Sequence, residues 1–322
     1  MIRVVTLRIL SIPPFLVGVS LACFLLVYLA PGTIIDTLMS QPGMNAELID
    51  SLRADYGYDL PWYRQYWAWL TGVVSGDWGE SFRFQRPVSE LVWSSLPYTA
   101  CLVLGGFVLS SAAGVGLSIW GLGRSRQFVD RSTHLGALTL GSVHPIVLCL
   151  SLLVLASMVD WLPVGGIPES GLAADVWLVE WLRHAALPVV ALSLSMLPGF
   201  YLQSRGLLLE IVQGEHVRAA RAAGQSDASV IWRHVLPVAT GPLVSYAGAE
   251  LATMLNVALL VEVIMAWPGV GRLAWLSLRD QDVFLLLGTL VCGAVLVLVG
   301  NLLADCTLAR VDPRVRLESS DG

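Results

Sequence analysis

The chain has 322 residues, 56% of them hydrophobic and 13% charged, at a mean hydropathy of +0.71; a soluble domain carries about 25% charged residues, so an ordinary water-soluble fold is excluded and lipid is the expected medium. All 19 basic residues are arginine, whereas a phosphate-cradling P-loop needs a lysine, so ATP hydrolysis of that kind must come from another chain. The net charge of −5 argues against a nucleic-acid binder.

Six stretches reach the length of about 20 apolar residues that a spanning helix needs: 9–30, 96–122, 135–159, 185–204, 236–266 and 283–304. Arg3 and Arg8 precede the first, as in a signal peptide. Its apolar run exceeds the usual signal length and no A-x-A site follows, so it is expected to be a retained helix. The loop 31–95 contains a helical spacing of Leu48, Ile49 and Leu52 within 46–56. It also holds Trp62, Trp67, Trp69 and Trp78, aromatic surface suited to a membrane interface. Two readings stay open for it: a helical cap on the headgroups, or a docking platform for an external partner.

In the second stretch, Gly105, Gly106, Gly114 and Gly116 predict close helix packing. In the third, His144-Pro145 predicts a kink with a hydrogen-bonded histidine. Trp177 and Trp181 in the loop 160–184 share a helix face and predict an interfacial anchor. Pro198-Gly199 permits a bend in the fourth stretch. Cys23, Cys101, Cys149, Cys292 and Cys306 have no metal-like spacing and read as small buried hydrophobes. With the N-terminus cytoplasmic, 12 arginines fall on the inner side and 7 on the outer, which favours both termini inside.

Between the fourth and fifth stretches runs Glu215-His216-Val217-Arg218-Ala219-Ala220-Arg221-Ala222-Ala223-Gly224-Gln225-Ser226-Asp227, with Leu236-Pro237 opening the fifth. The spacing predicts a short Ala-rich helix ending at a left-handed Gly224. Ser226 or Asp227 would cap a second helix. Ala219, Ala220, Ala222 and Ala223 would allow close approach of another surface, and Arg218 and Arg221 would offer guanidinium groups to carboxylates. On the residues alone, a force-transmitting elbow and an ordinary positive loop both remain open.

Glu250 and Glu262 lie in or near the fifth stretch. Intramembrane carboxylates are costly and mark function by default. The two sit about 120° apart around a helix, so they need not form one site. Glu262 is expected near the outer surface; Glu250, with Asn256, is the candidate for a translocation pathway.

The segment 215–237 resembles the coupling loop of ABC importer permeases, E-A-A, three residues, G, nine residues, I-x-L-P. Ala219, Ala220, Gly224, Leu236 and Pro237 fall at the required spacing. Arg218 and His234 replace the Glu and Ile, as in the dipeptide/oligopeptide/nickel branch, whose usual lysine is Ala223 here. Further fragments follow in family order: Ala30-Pro31-Gly32, Gly76-Asp77-Trp78-Gly79-Glu80-Ser81-Phe82, Trp267-Pro268-Gly269-Val270-Gly271, Arg279-Asp280 and Asp312-Pro313-Arg314. Gln281 and Asp282 depart from the family's R-D-Y-P.

The resemblance implies an all-α membrane protein of six transmembrane helices with the type I ABC importer permease fold and cytoplasmic N and C termini. Its expected parts are a first helix and long extracytoplasmic loop (1–95), a permease core (96–310) with the coupling loop at 210–236, and a tail (311–322). The implied partners are a homologous second permease, two cytoplasmic ABC ATPases, an extracytoplasmic solute-binding protein and the bilayer of the bacterial inner membrane. No cofactor is expected on this chain; ATP and Mg would sit on the ATPases. ATPase closure would move the elbow, and the helices would alternate access to the pathway. Di- or oligopeptides are the expected solute, with nickel chelates and glutathione as alternatives. Of rival classes, a metalloprotease would want H-E-x-x-H, which is absent, and a proton-coupled carrier often shows internal repeats, of which none is evident.

Overall fold

The computed structural model describes residues 2–29, 60–122, 127–159, 162–168 and 174–311. The expected helix at 46–56, the Ala30-Pro31-Gly32 fragment and the Asp312-Pro313-Arg314 ending lie outside them. Among the described residues the chain is helical except for one small hairpin. In order come α1 (Ile2–Leu29), α2 (Trp62–Ser75), β1 (Glu80–Ser81), β2 (Arg86–Pro87), α3 (Val88–Gly121), α4 (Gln127–Gly141), α5 (Pro145–Ser157) and α6 (Ala174–Val212). Then follow α7 (Glu215–Ala222), α8 (Asp227–Val230), a π-helical turn (Ile231–Val235), α9 (Leu236–Ile264), α10 (Val270–Arg279) and α11 (Val283–Val311).

Five helices are long and apolar enough to span a membrane, and α4 with α5 makes a sixth crossing if the bent pair counts as one. The third expected span is therefore not a single helix: its halves meet at 102°. Pro145 causes the break. It lacks an N–H and drives the preceding residue out of helical conformation; His144 is extended at φ −64°, ψ 139°. The His144 ring then caps α5 by accepting from the Ile146 N–H at 3.3 Å.

The chain divides into two compact units. One joins Thr6–Tyr98 to Pro268–Leu296. Within it, α2 buries Tyr66 and Trp69 and exposes Trp62 and Trp67. Tyr66 packs on Phe24 and its hydroxyl donates to the Val17 carbonyl at 3.1 Å, tying α2 to α1. Of the four tryptophans expected at the surface, Trp69 is core and Trp78 packs against the cluster of Val88, Leu91, Val270 and Leu285.

The hairpin β1–β2 explains the Gly76–Phe82 fragment. Asp77 accepts from the Gly79 N–H. Gly79 holds φ +78°, and a Cβ there would meet the Phe284 ring at 3.2 Å, so only glycine fits. Ser81 and the Arg83 N–H both donate to Asp282, which is 2% exposed and opens α11 by accepting from the Leu285 N–H.

The other unit joins Thr99–Trp267 to the two chain ends. Its α3 and α6 pack closely: a Cβ at Gly106 would come within 2.8 Å of Leu192, and one at Gly114 within 2.7 Å of Phe200. Gly116, expected in the same role, faces open space. Asp130 of α4 takes both Nε and Nη2 of Arg205 of α6 at 2.7 Å. Trp177 and Trp181 stack at 6.4 Å, and Trp181 packs on fully buried Trp267.

Candidate functional site: the elbow between α6 and α9

The elbow begins where α6 ends at Val212. Gly214 caps α7, which carries Glu215 in its first turn and Arg221 in its last, the arrangement that the helix dipole favours. Its end is a Schellman motif. The Gln225 N–H reaches the Ala220 carbonyl at 3.3 Å and the Gly224 N–H reaches the Arg221 carbonyl at 3.0 Å. Gly224 supplies the left-handed residue, φ +80°. Ser226 caps α8 by accepting from the Ser229 N–H at 3.4 Å.

The second arm is not a separate helix. It runs from α8 through the π turn into α9. Pro237 explains the turn: it has no N–H to offer the carbonyl of Arg233, so the ladder ahead of it widens. The Leu236 N–H accordingly reaches back five residues to the Ile231 carbonyl. Leu236 is half-buried and Pro237 exposed.

A hydrophobic wedge fastens the elbow to the spanning helices. Val217 and Ala220 of α7, with Val230 and Val235 of the second arm, are buried against Leu208 of α6 and Ala239 of α9. Gln225 fastens the turn to the second arm, its Oε1 accepting from His234 Nε2 at 3.0 Å and from the Ser229 hydroxyl at 3.3 Å. Arg221 Nε lies 3.5 Å from Asp227 Oδ1, an ion pair across the turn.

The expected site residues therefore divide by face. Glu215, Arg218, Ala219, Ala222, Ala223, Gly224 and Ser226 are exposed. Ala220 points inward and is 7% exposed, because the residue three before it, Val217, faces the same wedge. Arg221 is half-buried and engaged within the elbow. The sequence reading missed Gln225 and Val217. The spacing of Val217 and Ala220, three apart on one helix face, was the available signal for the first arm's side of the wedge.

The carboxylates of α9 are in different places from each other. Glu262 lies two residues from the end of α9, is fully buried and accepts from the Thr99 hydroxyl at 2.7 Å. Glu250 is half-buried, and Asn256 is exposed with its amide 3.5 Å from the Ala252 carbonyl.

Two family descriptions match the chain. "Binding-protein-dependent transport system inner membrane component" covers residues 118–317, and the description of that family's N-terminal region covers 1–103. The oligopeptide transport system permease protein AppB of Bacillus subtilis is 30% identical, over 94% of this chain and 95% of its own. The glutathione transport system permease protein GsiC of Escherichia coli K12 is 28% identical, over 98% and 99%. In fold, the chain is similar to one from an inward-facing MetNI methionine ABC transporter, with TM-score 0.54 and 21% identity over 70% of this chain and 96% of that one. The chain belongs to the binding-protein-dependent transport system inner membrane components, and is a multi-pass permease subunit of an ABC importer of the bacterial inner membrane.

Proposed function

We propose that this chain is the first permease of a di- or oligopeptide importer, and that 215–235 is the lever through which partner ATPases drive it. The observation that carries the lever is the elbow's construction. Its exposed face is small, with Ala219, Ala222 and Ala223 beside the charged Glu215 and Arg218, while its inner face is welded to α6 and α9. A push on the first would be delivered to spanning helices rather than absorbed by a hinge. Glu215, Gly224 and Ser226 shape that face, and Leu236-Pro237 join it to α9.

The chain works with a second permease, two cytoplasmic ATPases that hold the ATP and Mg, and an extracytoplasmic binding protein. It has no lysine with which to build its own P-loop. Both termini face the cytoplasm. Nucleotide shifts the access equilibrium because the ATPases hold the elbow differently in their two states. The oligopeptide role of AppB supports the peptide reading. A second reading, glutathione import, has the support of GsiC.

The test is ATP-dependent uptake of labelled di-, tri- and longer peptides, and of glutathione, into proteoliposomes holding this chain, its partner permease, the ATPases and the binding protein. Peptide uptake abolished by Gly224→Val in an assembled complex supports both statements. Stimulated ATPase with no peptide uptake sinks the peptide reading and leaves the importer.

A further inference from the structure

One turn of α6 is bonded to two other helices at once. Tyr201, Ser204 and Arg205 stand at i, i+3 and i+4, on a single helix face. The Tyr201 hydroxyl meets the Thr133 hydroxyl of α4 at 2.9 Å. The Ser204 hydroxyl meets that of Ser118 of α3, also at 2.9 Å. Arg205 grips Asp130 of α4 through its two-point bond. Tyr201, Ser204 and Ser118 are buried. Asp130 in turn abuts the last residue of α3, since a Cβ on Gly121 would come within 3.1 Å of its Oδ1.

The next residue on this face of α6 is Leu208, which roots the elbow. It is buried in the wedge with Val217, Ala220, Val230 and Val235, and Ile119 and Leu122 from the end of α3 pack on the same wedge. The bonded turn and the elbow's root are thus consecutive turns of one helix, within one compact unit. Apolar helix contacts alone can slide by small shear movements. Directional bonds at three successive side chains, one of them a bidentate guanidinium–carboxylate pair, hold a fixed register instead.

We propose that Tyr201, Ser204 and Arg205 are positioning residues of the transport cycle. Through them the elbow carries α3 and α4 with it, so that elbow, α6 and the adjoining parts of these two helices move as one body. The inference rests on the lever reading above and not on the identity of the solute.

The test uses the complete reconstituted importer and reads solute taken up per ATP hydrolysed, with a labelled tripeptide and labelled glutathione as the probes. Tyr201→Phe combined with Asp130→Asn removes one bond and weakens the charged pair while keeping side-chain size. It is expected to lower the ratio by about fivefold or more, with hydrolysis still stimulated by the binding protein. Thr133→Val keeps the shape of threonine without its hydroxyl; it should lower the ratio too, and serves where the double variant does not assemble. Thr133→Ser, which keeps the hydroxyl, should not. An unchanged ratio, whether uptake and hydrolysis fall together or neither moves, overturns this inference alone. If Gly224→Val leaves uptake intact in the same assay, the lever reading falls and this one with it.

A second measurement needs no solute and decides the matter if neither probe is taken up. Spin labels are placed at Ser132→Cys on α4 and Gln213→Cys just after α6, both exposed positions, in a complex otherwise free of cysteine. The distance between them is read before and after nucleotide traps the ATPases. One distance in both states is expected with Tyr201 and Asp130 in place, and a nucleotide-dependent change in the double variant. A distance that moves in the first case, or does not move in the second, overturns the inference.

Discussion

The Ser81 hydroxyl donates to Asp282 over 2.6 Å, joining residues 201 positions apart in the chain. The same carboxylate takes the Arg83 and Leu285 N–H groups, so one buried acid closes the hairpin and opens α11. The family's R-D-Y-P carries proline at this place. A proline also starts a helix well, but cannot accept a hydrogen bond from Ser81. The departure in sequence is thus a different solution to the same junction.

Replacing Asp282 by Ala should cost more than replacing Ser81 by Ala, because it strands three donors, whereas loss of the Ser81 hydroxyl strands the Phe84 N–H and one acceptor of Asp282. About 1–3 kcal/mol is expected for the former. The double variant should cost less than the two singles together, since they share a contact. Thermal unfolding of the purified complex measures all three; strictly additive losses would show that the two side chains do not act as one unit.

What could be read in the sequence was local. The Gly224 turn, the Ser226 cap and the His144-Pro145 break are each set by residues within one or two turns of chain, and each forms. Burial depends on distant partners and was not legible. Glu262 is buried because Thr99 lies against it, 163 residues away in sequence. Trp69 is core because α1 and α11 offer Phe24 and Leu287. The four glycines of the second stretch looked alike, yet Gly116 faces nothing, because packing depends on which side of α3 meets α6.

At Gly224 a Cβ would meet no atom within 4 Å, so crowding is not what forbids a side chain there. The left-handed φ of +80° is. Gly224→Ala should therefore cost about 1–2 kcal/mol of backbone strain, Gly224→Val more, and Gly224→Asn least, since asparagine tolerates that region. Uptake by the importer should fall in the same order. If valine and asparagine behave alike, contact with a partner rather than backbone conformation governs this position.

Gly114 makes the opposite case. Its missing Cβ would lie 2.8 Å from the Tyr201 backbone nitrogen, an atom that cannot swing aside. Gly114→Ala should separate α3 from α6 and cost about 1–3 kcal/mol. Gly116→Ala, two residues on, should be neutral or slightly stabilising, because alanine is the better helix former. Melting temperatures of the two variants in one detergent decide it; equal losses would contradict the packing described here.

Asp130 and Arg205 hold α4 to α6 through two parallel bonds of 2.7 Å, with side chains 26% and 22% exposed. That exposure places the pair between a screened surface bridge and a fully desolvated one, and about 1–2 kcal/mol is expected on breaking it. Lysine at 205 keeps the charge but not the planar fork, so Arg205→Lys should recover little of the loss. The exchanged pair, Asp130→Arg with Arg205→Asp, should recover more than either single change, because opposite charges again face each other. Unfolding of the four variants at low and high salt tests both points. A full rescue by lysine would mean that net charge, and not the two-point geometry, joins these helices.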